Sequence, residues 1–105
     1  MNQQDHDQRS LALHRLVVER MRADPALMER ATSIVARWLS MDSSHSRPYH
    51  QAWSDALNQG LEVTAKLACA DDERSTALRQ SSPLSCLLSP EERGAFWRAW
   101  REGRF

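Results

Sequence analysis

Apolar residues recur at helical spacing along almost the whole chain. Between Ser10 and Ala23 they are Leu11, Leu13, Leu16, Val17, Val18 and Met21. At about 100° per residue these six cover well over half of the helix circumference. A surface helix normally buries a narrower stripe. The first helix is therefore expected either to be sandwiched inside the domain or to share its apolar arc with a partner. Ser10 supplies an N-cap for it, and residues 1–9 read as a flexible polar lead-in.

Asp24-Pro25 restarts the pattern, with Asp as N-cap and Pro where no N–H is needed. A second helix is predicted from Pro25 to about Ser40, its stripe made of Leu27, Ala31, Ile34, Val35, Trp38 and Leu39. The Ser-rich stretch from Met41 to Arg47 reads as a loop. Pro48 opens a third helix carrying Tyr49, Ala52, Trp53, Ala56 and Leu57, and Gly60 is its stop. The helical pattern resumes from Leu61 to Ala70, and Asp71 and Asp72 then offer caps for a short helix reaching Leu78 or Gln80. Ser82-Pro83 starts a single turn with Leu84, Leu87 and Leu88. Ser89-Pro90-Glu91-Glu92 is a capping box for a last helix from Pro90 to about Glu102, stopped by Gly103. No segment alternates with the two-residue period of a strand. The expected fold is all-α: a compact bundle of about five to six helices forming a single domain over residues 10–105.

Composition narrows the function classes. A chain of 105 residues, 41% hydrophobic and 27% charged, is one ordinary globular domain. Fourteen basic residues cancel fourteen acidic ones, so the cation surplus behind most nucleic-acid affinity is missing. Lys66 is the sole lysine, and Arg is the better fork for interfaces and carboxylates, although genomic base composition alone can produce the same bias. Two cysteines are too few for a disulfide scaffold. With no apolar leader or membrane-length stretch, a cytoplasmic protein with reduced thiols is expected.

Candidate chemistry is sparse. His45, His50, Cys69 and Cys86 could ligate zinc, but their spacing lacks the close pairs of structural zinc sites. Cys69 and Cys86 sit among apolar neighbours, which suits small core residues rather than activated nucleophiles. Asp71-Asp72-Glu73 and Glu91-Glu92 lie at predicted helix N-termini, where the dipole favours negative charge. His14, on the apolar arc of the first helix, reads as a hydrogen-bonded core histidine. The three glycines are too scattered for a phosphate loop. Neither an enzymatic activity, a metal nor a cofactor is expected.

The last helix has the strongest binding character. Phe96, Trp97 and Trp100 span about 100° of its wheel, Arg93 and Arg104 project into the same arc, and Arg101 flanks it. Large rings beside Arg are the material of interface hot spots. The same residues also suit a core face with Arg stems lying over rings.

The stretch Ala77-Leu78-Arg79-Gln80-Ser81-Ser82-Pro83-Leu84, followed by Leu87-Leu88-Ser89-Pro90-Glu91-Glu92-Arg93, comes after Leu13-His14-Arg15-Leu16-Val17, Asp24-Pro25 and Arg37-Trp38-Leu39. This order, spread over Leu11 to Arg101, resembles small helical bacterial antitoxins encoded beside nucleotidyltransferase-like toxins of the AbiEii or MenT type. Leu84 and Cys86 depart from that family's pattern, which has an aromatic residue and a Gly there. The resemblance implies a cognate toxin protein as partner and, for some members, repression of the operon, but it assigns no site residues. The expected function is antitoxin-like neutralisation of a co-encoded toxin. The alternatives are a regulator binding operator DNA and a homodimeric or structural helical module.

Overall fold

The computed structural model describes residues 3–41 and 45–104. Among these residues there are six α-helices, one 3-10 turn and no strand: α1 (Gln3–Ala23), α2 (Ala26–Met41), α3 (Arg47–Asn58), α4 (Leu61–Cys69), α5 (Glu73–Arg79), the turn Pro83–Cys86, and α6 (Pro90–Arg101). Part of the Ser-rich loop falls outside the described residues. The Cα radius of gyration, 13.4 Å, is that of one folded domain of this length.

Local capping chemistry sets most of the boundaries. Asp24 Oδ1 accepts from the Ala26 amide at 3.1 Å and Asp72 Oδ1 from the Ser75 amide at 2.7 Å. Ser82 Oγ accepts from the Leu84 amide at 3.0 Å. Ser89 and Glu92 close a complete capping box at the start of α6. Gly60 ends α3 and begins α4 at φ 108°, a conformation open to glycine alone.

α1 starts at Gln3, so the expected cap at Ser10 is an interior residue and the polar segment from Gln3 to Arg9 is helical. These turns have no apolar stripe of their own. They are held by the Gln3–Asp7 side-chain hydrogen bond at 2.9 Å and by Arg9, which lies on Trp97 of α6.

The wide apolar arc of α1 belongs to the core. Leu11, Leu13, Val17, Val18 and Met21 are buried against α2, α4, α5 and the 3-10 turn, and only Leu16 of the arc is half-exposed. α2 behaves in the opposite way. Only Ala31 and Val35 of its stripe are fully enclosed, while Leu27, Ile34, Trp38 and Leu39 remain half-buried. Surplus apolar surface therefore lies along α2, where it ends in Met41 at 72% exposure. On α3, Tyr49 is also exposed.

Trp53 and His14 carry polar ring nitrogens into the interior. Trp53 is wholly buried and its indole N–H donates to the Leu78 carbonyl at 2.9 Å. His14 is buried beside it, the two rings 6.2 Å apart and nearly parallel. His14 Nδ1 hydrogen-bonds the Ser10 carbonyl at 2.7 Å, the partner expected of a core histidine. Since a carbonyl only accepts, the proton sits on Nδ1.

Candidate functional site

Phe96 is the one fully buried side chain of α6 and fastens the helix to the core. Its ring meets Trp97 edge-on at 4.9 Å and lies nearly parallel to Trp100 at 6.3 Å. Both tryptophans are half-exposed. The predicted aromatic arc is thus divided: Phe96 is core, and the two indoles lie at its outer edge.

The arginines of the arc are also divided. Arg93 is half-buried, and its guanidinium donates to the Ser85 carbonyl, tying α6 to the 3-10 turn. Arg101 is exposed at the last turn. Arg104 is exposed and ion-paired with Glu102 at 2.6 Å. The Arg20–Glu92 ion pair joins α6 to α1. The Glu92 carboxyl is held below the usual carboxylate range, chiefly by the Ser89 amide and further by Arg20.

What the sequence did not indicate lies across from Trp97. The Arg9 guanidinium sits 4.4 Å over the Trp97 ring and contacts His6 Nδ1 at 3.0 Å. Together the start of α1, the end of α5 and Trp97 enclose a cleft of about 410 Å³. Arg79 forms part of its wall although it is only 4% exposed. One of its terminal nitrogens donates to the Ala68 and Ala70 carbonyls at 3.0 and 2.7 Å, and the other to Thr76 Oγ1 at 3.2 Å. A buried Arg thus closes the C-terminus of α4, where carbonyls are left over and the dipole favours a cation.

Gln80 lines this cleft and also a second one of about 390 Å³, formed with Trp38, Met41, His50 and three serines from Ser81 to Ser85. Trp38 and His50 pack ring to ring at 4.8 Å there. One surface therefore runs from Trp97 and Arg9, past Gln80, to Trp38 and Met41. An Arg nine residues into the chain and a Met at the end of a helix carried no local signal for it.

Cys69 and Cys86 are free thiols, half-buried rather than enclosed in the core. Burial pushes the Cys69 thiol up, away from the reactive thiolate. Among the described residues no three His, Cys, Asp or Glu side chains gather as a metal site would require. No described helix is long and apolar enough to cross a membrane. No family model matches the chain, and neither a curated protein nor a solved structure is similar enough to match it.

Proposed function

We propose that this chain is an antitoxin-like interaction protein that binds a co-encoded toxin enzyme and neutralises it by covering the active site or substrate channel. The observation that carries the reading is the surface spanning Trp97, Arg9, Gln80, Trp38 and Met41. There, indoles and a methionine stand partly open to solvent beside Arg donors and two clefts. Partly open aromatic anchors ringed by polar groups match the composition of protein interfaces. The wide arc of α1 is mostly taken up by the domain itself, and only Leu13 of it reaches this surface, in the wall of the cleft. The nucleotidyltransferase-like class of the toxin follows from the resemblance in residue order alone.

Co-expression with the product of the neighbouring gene tests the proposal. A complex that survives size-exclusion chromatography, together with rescue of growth, is the expected result. Two proteins that elute separately, with toxicity unrelieved, remove it.

A further inference from the structure

We infer that the cleft between α1, α5 and Trp97 is a carboxylate-binding site that receives an Asp or Glu side chain of the protein partner. This deepens the partner-face reading and rests on it for the source of the carboxylate.

The charges around the cleft are the first argument. Arg79 and Arg9 face Asp7, and Asp7 is already engaged by Gln3. Among the residues lining the cleft two cations stand against this one anion, while Asp71 and Asp72 act on Arg79 from outside it. A singly charged carboxylate meets less repulsion from Asp7 there than doubly charged phosphate does.

Hydrogen-bond accounting is the second. Arg79 makes no ion pair among the described residues, and its Nε–H is buried without an acceptor. Buried donors in folded proteins are rarely left unmatched, and a guanidinium is shaped for carboxylate oxygens. The third argument is the lining. Leu13 and the Trp97 indole supply an apolar wall for the methylene stem of an acidic side chain, and Gln80 adds a polar group beside it. A free inorganic anion has no use for that wall.

The test is a titration of the ¹⁵N-labelled full chain at constant ionic strength, following the Arg79 Nε–H and Trp97 indole N–H signals by NMR. An oligo-glutamate peptide, an oligo-lysine peptide and inorganic phosphate are added in separate series. Saturable shifts of both signals with oligo-glutamate alone are expected. Arg9→Gln should weaken that binding about fivefold, the size of one partly exposed charge contact. Asp7→Asn should strengthen it by removing the competing anion. Because Arg79→Met strips α4 of its terminal donors and can unfold the chain, these two rim variants carry the decision.

Unmoved signals, equal shifts with phosphate, or an Arg9→Gln protein that binds as well as the parent would overturn the site. The outcome is separable from the toxin reading. A stable toxin complex with no oligo-glutamate binding sinks only the carboxylate site, and oligo-glutamate binding with no toxin complex sinks only the antitoxin proposal.

Discussion

The guanidinium of Arg9 lies 4.4 Å over the indole of Trp97, joining the first helix to the last. A cation on an indole face is worth about 0.5–1 kcal/mol at a partly exposed site. It is also the contact that holds the polar opening turns of α1 against the body. Arg9→Ala should therefore destabilise the fold by about that amount and speed amide exchange between Gln3 and Arg9. A double-mutant cycle with Trp97→Leu measures the coupling. Zero coupling would mean that the opening turns are held by something else.

His14 makes stability depend on pH. Burial lowers its pKa from 6.5 to about 4, the Ser10 hydrogen bond opposes the shift, and nearby Arg79 adds to it. The folded protein therefore resists protonation that the unfolded chain accepts readily. The associated stability is complete above pH 6.5 and is lost progressively as pH falls towards 4. Integrated over that window the loss is about 3 kcal/mol. Urea unfolding at pH 7 and at pH 4.5 should show it, and His14→Leu should flatten the difference between the two. A leucine variant with the parent's full acid sensitivity would assign the effect to other groups.

The limits of sequence reading follow the range of the interactions. Asp24, Asp72, Ser82 and Ser89 act on amides two or three residues away, so their helix starts were readable from neighbours in the chain. The turns from Gln3 to Arg9 depend on Trp97, almost the whole chain distant, and no local pattern announces them. Arg79 is a similar case. Its type predicts exposure, but the acceptors at Ala68 and Ala70 are supplied by another helix, and only the fold brings them together. The wheel of α6 grouped Phe96 with Trp97 and Trp100 correctly, yet how deeply each ring sits is decided by what α6 packs against. α2 illustrates the same limit, since a clean stripe records apolar positions and not whether neighbours cover them.

Two glycines should respond in opposite directions to the same substitution. At Gly60 a Cβ meets nothing within 4 Å, but φ of 108° is strained for any L-residue. Gly60→Ala should cost about 1–3 kcal/mol through the backbone alone. Gly94 lies inside α6, and its Cβ would make an ordinary 3.5 Å contact with the Arg98 side chain. Gly94→Ala should stabilise by about 0.5–1 kcal/mol, since alanine loses less backbone freedom in a helix. Thermal unfolding of the two variants checks both signs, and a neutral Gly60→Ala would show that the α3–α4 junction adjusts freely.

Phe96 and Trp100 separate folding from partner binding on a single helix. Phe96 is 2% exposed, so Phe96→Ala opens a cavity and should cost about 3–5 kcal/mol of stability. Any loss of partner binding in that variant follows from loss of the fold. Trp100 is half-exposed against the same ring, and Trp100→Ala removes an outer anchor while Phe96 keeps its place. Its stability cost should be clearly smaller, while affinity for the co-encoded protein should fall about tenfold or more, as for an interface hot spot. Urea unfolding and titration calorimetry on the same samples separate the two effects. Unchanged affinity in Trp100→Ala and in Trp97→Ala would take α6 out of the interface and leave the Trp38–Met41 end of the surface as the binding face.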